Sequence, residues 1–218
     1  MRPLFSLILF LLLLGFLLAF IQVGLLTIAF DKLGLSPSAA FLLLIGSLIG
    51  STINLPLFQI RADAPIRDPL WQWRQLLGRP PAHRPGYTVV AINVGGCIIP
   101  ILFSLYLLTR SEVGLLTALF GITAVTVLAH LFSRPIPGVG IGMPLFVAPV
   151  GAALAALLLD PQQSAPLAYI SGTLGVLTGA DLLRLKEIRR LGTPIASIGG
   201  AGTFDGIFIT GIVAVLLA

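Results

Sequence analysis

The chain has 218 residues, 57% of them hydrophobic and only 10% charged, with a formal net charge of +5 and a mean hydropathy of +1.06. That is too little polar surface to clothe a water-soluble globule, so the composition reads as a polytopic membrane protein. The basic excess then speaks of topology and not of nucleic acid. A single cysteine, Cys97, excludes an internal disulfide and a multi-cysteine metal site.

Apolar runs long enough to cross hydrocarbon, about 20 residues each, extend from Leu4 to Phe30, Ser36 to Leu57, Thr88 to Leu108, Val113 to Phe132, Pro144 to Leu159, Ala165 to Leu183 and Ile195 to Leu217. They predict an all-α fold, a bundle of about seven transmembrane helices forming a single domain over residues 1–218. The first run is too long for a signal-peptide core and is followed by no small-residue cleavage site, so it counts as a helix. With the N-terminus cytoplasmic, eleven Lys and Arg residues fall inside, against Lys32 and Arg110 outside. The positive-inside bias therefore sets the orientation in the cell (plasma or inner) membrane and leaves the C-terminus outside. No internal repeat of the transporter type is visible.

In chain order, Gly46 and Gly50 of the second helix provide a small-residue spacing for close helix approach. That helix ends at Asn54, Leu55 and Pro56. The cytoplasmic loop 58–87 carries arginines interleaved with Trp71 and Trp73, the composition of an amphipathic segment lying in the headgroup region. The third helix opens with Asn93, Val94, Gly95 and Gly96 and has Pro100 a turn later, which predicts a kinked or unwound first half. Asn54 and Asn93 have two readings, lining a shared polar interior or hydrogen-bonding across a helix interface. Between the fourth and fifth helices, Pro135, Pro137 and Pro144 alternate with Gly138, Gly140 and Gly142, so no helix survives there. Apolar Val139, Ile141 and Met143 leave two options for it, a segment dipping back into the membrane with unpaired amides or a tight turn.

Six of the eight carboxylates lie in loops or beside boundaries; Asp181 and Asp205, 24 residues apart, lie within apolar segments. An acid there is costly unless paired, protonated or facing water, so the two are the first candidates for function. Helix six is expected to extend as an amphipathic segment from Leu182 to Leu191, stop at Gly192, and give way to helix seven near Pro194. An antiparallel helical hairpin of that kind sets both acids at the same height, about 16 Å from the turn. Gly202 and Gly206 bare the backbone beside Asp205, and Thr178 at i−3 places a hydroxyl near Asp181.

Three readings of the pair stand. Two carboxylates in one low-dielectric site share a proton, the state an aspartic peptidase uses to activate water and polarise a peptide carbonyl. The same acids serve equally as a proton or cation relay in a transporter or channel for a small solute. The third reading is structural, a scaffold in which Arg184 at i+3 pairs with Asp181 and Asp205 caps glycine-rich backbone. His83 and His130 lie near no carboxylate in sequence, so no metal is implied, and no motif calls for an organic cofactor.

The strings Ala91 to Gly96, Arg134 to Ile141, Tyr169 to Leu183 and Gly199 to Phe208 resemble an uncharacterised prokaryotic family of polytopic membrane proteins, which implies architecture and location. More weakly, Gly202 and Asp205, with Asp181 as partner, resemble the GxGD intramembrane aspartyl proteases, which include presenilin, signal peptide peptidase and prepilin peptidase. Phe204 stands where that motif has its second glycine, Ala180 precedes Asp181 in place of a tyrosine, and Arg134 to Pro144 does not match the Pro-Ala-Leu motif. The resemblance implies Asp181 and Asp205 as a catalytic pair acting on a transmembrane peptide. The substrate-binding candidates are Asn54, Asn93, Pro137, Gly138, Gly140, Thr178, Gly202 and Gly206, and the expected partners are the lipid bilayer with such a peptide or a small solute.

Overall fold

The computed structural model describes residues 23–63, 86–138, 140–200 and 206–218. Most of them are helical. Helix α1, described over Val23–Lys32, meets α2 (Pro37–Gly50) at a bend of 113°. Ser36 caps α2 by accepting from the Ala39 amide, ahead of Pro37 at the first turn. A π-helical turn, Val94–Ile98, leads into α3 (Ile99–Arg110), followed by α4 (Leu115–Phe132), α5 (Val147–Leu159) and α6 (Ser164–Val176). A second π-helical stretch, Leu177–Leu182, continues α6, and α7 (Gly206–Leu217) closes the chain.

Helix α6 is the hub, buried on almost every side and packed against α3, α4, α5 and α7. Its small residues allow this. A Cβ on Gly175 would stand 2.6 Å from Val125 Cβ, and one on Gly179 would overlap the Thr126 carbonyl, so α4 sits directly on the α6 backbone. The fully buried Tyr169 packs edge-on against Phe103 at 4.9 Å, and Ser104 and Thr173 join hydroxyls at 2.9 Å across α3 and α6. The outer surfaces are as apolar as this interior. Leu115, Leu116, Phe120 and Leu131 of α4 and Leu154 and Leu158 of α5 are exposed.

The mainly helical fold is as expected, and beside it three apolar runs give up an end to a small sheet. Strands β1 (Asn54–Arg61) and β2 (Tyr87–Asn93) pair antiparallel from Asn54↔Asn93 to Arg61↔Tyr87, and β5 (Ile195–Ile198) pairs parallel with β2 from Val89↔Ile195 to Ile92↔Ile198. Thr88, Val89 and Val90, and Ile195 and Ile198, are β-branched, and hydropathy alone does not separate such a run from a helix end. The register shifts between Pro56 and Phe58, a bulge at Leu57 directly after the residue that lacks an amide donor, on an edge strand. Phe58–Arg61 thus belongs to a strand and not to the cytoplasmic loop; residues 64–85 of that loop lie outside the described residues.

The segment rich in proline and glycine forms no helix among the described residues, as its composition predicts. It forms an antiparallel hairpin of β3 (Arg134–Ile136) and β4 (Gly140–Gly142). Its tip is docked, since the Gly138 amide donates to the Leu191 carbonyl at 2.7 Å.

Among the described residues, one unbroken helix is long and apolar enough to cross a membrane, α4, with 22% of its 18-residue window buried. The bent pair α1 and α2 passes the same criterion together, while Val94–Arg110, α5 and Ile207–Leu217 are shorter apolar helices.

Candidate functional site

The hairpin of helices six and seven that was to bring the acids level does not form. After the π-helical stretch the chain turns at Leu183 and Arg184, runs through a 3-10 helix (Leu185–Arg190), turns at Gly192 with φ 63°, and enters β5. Two features break the expected helix. The Leu183 amide reaches back to the Thr178 carbonyl, and the Arg184 side chain is drawn to the end of α4. There its Nε donates to Ser133 Oγ at 2.6 Å and Nη2 to the His130 carbonyl, while Nη1 pairs with Glu187 at 2.7 Å. A guanidinium on the last carbonyls of α4 is favoured by that helix's dipole.

Arg184 is therefore not the partner of Asp181. The half-buried Asp181 carboxylate accepts through Oδ2 from the Gly199 amide at 2.7 Å, and among the described residues it forms no ion pair. Gly199, at φ 84°, is held from behind, because a Cβ there would stand 2.6 Å from Cys97 Cβ and 2.7 Å from the Cys97 amide nitrogen. The π-helical turn after β2 thus fixes the donor, and the donor fixes the acid.

That turn is organised by Asn93. Its Oδ1 accepts from the Gly96 amide at 2.8 Å, and its Nδ2 donates to the Ser51 carbonyl at 2.7 Å and to Asn54 Oδ1 at 3.0 Å. Of the two readings of Asn54 and Asn93, the structure has the cross-element hydrogen bond; neither borders the cavity described next. Gly95 adds a backbone contact, since a Cβ on it would overlap the Ser47 carbonyl. The small-residue spacing in α2 ends on this turn. A Cβ on Gly50 would meet the Gly95 nitrogen at 2.9 Å.

A cavity of about 360 Å³ lies in front of Asp181. Its walls come from five places: Val176, Ala180 and Asp181 at the end of α6; Ile188 and Leu191 around the 3-10 helix; Thr193 and β5; Gly140–Gly142 of β4; and Ile207 and Thr210 of α7. Among the described residues β5 stands at the edge of its sheet, in the order β1–β2–β5, and its four residues line the cavity.

Of the expected binding residues, Gly140 lines the cavity. Pro137 and Gly138 form the docked hairpin tip, and Thr178 spends its hydroxyl on the Leu174 carbonyl at 2.8 Å. Gly206 opens α7, whose Ile207 and Thr210 are cavity residues. Gly202 and Asp205 lie outside the described residues. Sequence reasoning missed Gly199 as the acid's donor and β5 as a wall. The available signal for Gly199 was the Gly199–Gly200 pair, which marks a turn with positive φ. His130 faces the Gly179 carbonyl with Nδ1 at 3.2 Å, and no group of three or more metal-ligating side chains occurs among the described residues.

Residues 48–217 match the family described as protein of unknown function, DUF1614, and the chain belongs to that family. No curated protein and no solved structure matches it.

Proposed function

We propose that this chain is a multi-pass membrane protein, cytoplasmic at its N-terminus, and that Asp181 serves with Asp205 in an aspartyl-type hydrolytic site acting on a membrane-embedded peptide. The observation that carries the reading is the situation of Asp181: a carboxylate beside a cavity, oriented by one backbone donor, with no cation among the described residues to neutralise it. Carboxylates kept for packing are paired, and this one is kept available. Asp205 enters from the sequence, as the acid just before the helix that supplies Ile207 and Thr210 to the cavity wall.

In this chemistry one ionised carboxylate takes a proton from water while the protonated partner polarises the scissile carbonyl; the water oxygen adds to the carbonyl carbon, and the C–N bond then breaks as the first acid returns its proton to the leaving amine. The edge of β5 suits the substrate, because an extended peptide meets an unpaired strand edge with its own main chain. The membrane reading draws support from the exposed apolar faces of α4 and α5 and from the partition of charge. Arg61, Arg134, Arg184, Lys186, Arg189 and Arg190 sit at the end with the sheet. The opposite end carries Asp31, Lys32, Arg110, Glu112 and Asp160.

The test is a comparison of membrane peptides from cells carrying wild type, Asp181→Asn or Asp205→Asn. Either variant is expected to lower turnover at least about a hundredfold and to accumulate uncleaved membrane segments. Saturable solute uptake driven by a pH gradient in proteoliposomes, with no change in membrane peptides, would replace this reading with the transporter. Neither effect would leave a scaffold.

A further inference from the structure

The wall of the cavity contains a segment with two unlike faces. In Leu185–Arg190 and the residue after it, Ile188 is 4% and Leu191 3% exposed, and both line the cavity. Lys186, Arg189 and Arg190 are exposed and form no ion pair among the described residues; Arg184, just before the stretch, pairs with Glu187. The exposed Leu182 and Leu183 come shortly before them, with Arg184 and Leu185 between.

The segment is held by its backbone. The Arg189 carbonyl accepts from the Asp63 amide at 2.9 Å and the Leu191 carbonyl from the Gly138 amide at 2.7 Å. These two bonds bring the residue beyond β1 and the tip of the β3–β4 hairpin beside it, while the three cations stay exposed and, among the described residues, without an ion pair. A row of free cations next to exposed leucines is what an interface of phosphate oxygens over hydrocarbon accommodates: guanidinium and ammonium groups take the phosphates while the leucines enter the acyl region. A soluble polyanion would use the cations and leave Leu182 and Leu183 in water.

We infer that Lys186, Arg189 and Arg190 form a binding surface for the headgroups of anionic phospholipids, and that bound lipid braces the 3-10 helix that walls the Asp181 cavity. The inference rests on the membrane location proposed above and is independent of the hydrolytic reading.

The experiment is hydrogen exchange of the full chain in nanodiscs of phosphatidylcholine alone and of phosphatidylcholine with phosphatidylglycerol. The amides from Leu185 to Gly192 are expected to exchange about tenfold more slowly when phosphatidylglycerol is present. K186Q/R189Q/R190Q is expected to lose that slowing, and K186R/R189K/R190K to keep it. Matching exchange of α6 amides in all three proteins shows that the variants are folded; if the neutral variant alone fails this control, restoration of the slowing by the charge-conserving variant decides the matter. Equal exchange in the two lipids, or the same slowing by free inorganic phosphate in phosphatidylcholine discs, overturns the inference. Failure of the chain to enter nanodiscs at all overturns the membrane location itself.

Discussion

The centre of the bundle and the sheet-bearing end around Asp181 use the same small residues for opposite purposes. Around α6, Gly172, Gly175 and Gly179 remove side chains so that neighbouring helices fill the space; every gap is taken up by Ala152, Val125 or the Thr126 backbone. At the sheet end, Gly95 and Gly199 also permit backbone-on-backbone contact, yet what they hold is the amide that orients Asp181, a carboxylate on the wall of an open cavity. The first region converts glycine into packing density, and the second converts it into a fixed position for one hydrogen-bond donor. Stability should therefore be lost through the scaffold of the acid, while the acid itself should be nearly free to change.

The sharpest way to break this contrast is Gly95→Ala. The new Cβ would collide with the Ser47 carbonyl, a backbone atom that no rotamer change can move, so a loss of about 3 kcal/mol or more is expected. Thermal unfolding in mild detergent checks it, and a wild-type melting temperature would sink the account of the π-helical turn. Next comes Asn93→Ala, which leaves the buried Gly96 amide and Ser51 carbonyl without their partner and should cost about 2–3 kcal/mol by the same assay. A variant as stable as wild type would mean that Asn93 is not organising the turn.

A smaller effect is expected for Arg184→Gln, about 1–2 kcal/mol, since it gives up a partly exposed ion pair and two bonds to the end of α4. Exchange of the last α4 amides should rise with it; unchanged exchange there would detach Arg184 from α4. The smallest effect separates the regions most clearly. Asp181→Asn keeps an oxygen for the Gly199 amide and should change stability by less than about 0.5 kcal/mol, in either direction. A drop comparable to that of Asn93→Ala would make Asp181 a structural residue and remove the main support for a chemical role.

Much of the helical content was legible, because periodicity is unnecessary where a segment is apolar all round: α4 appears almost residue for residue in the run Val113 to Phe132. The interruption after Asn93 was also legible, from two glycines and a proline close together. The strands were not. Tyr87–Asn93 and Ile195–Ile198 are apolar runs continuous with other apolar sequence, and a parallel pairing between residues more than a hundred positions apart leaves no local mark. The helical hairpin that set the two acids level lost its premise for the same reason, since Ile195–Ile198 was read as the start of helix seven and is a strand; Asp205 lies outside the described residues.

By itself the sequence determined that the chain is dominated by apolar helix, that its cations gather in a few segments and that Asp181 stands apart from the other described carboxylates, because these follow from which groups water will accept. Only the tertiary structure decided what Asp181 faces. It sent Arg184 to the end of α4, brought Gly199 to the carboxylate and opened a cavity between β4, β5 and α7. Those outcomes depend on which backbone donors and acceptors remain unsatisfied once distant segments have packed, a condition that no window of neighbouring residues contains.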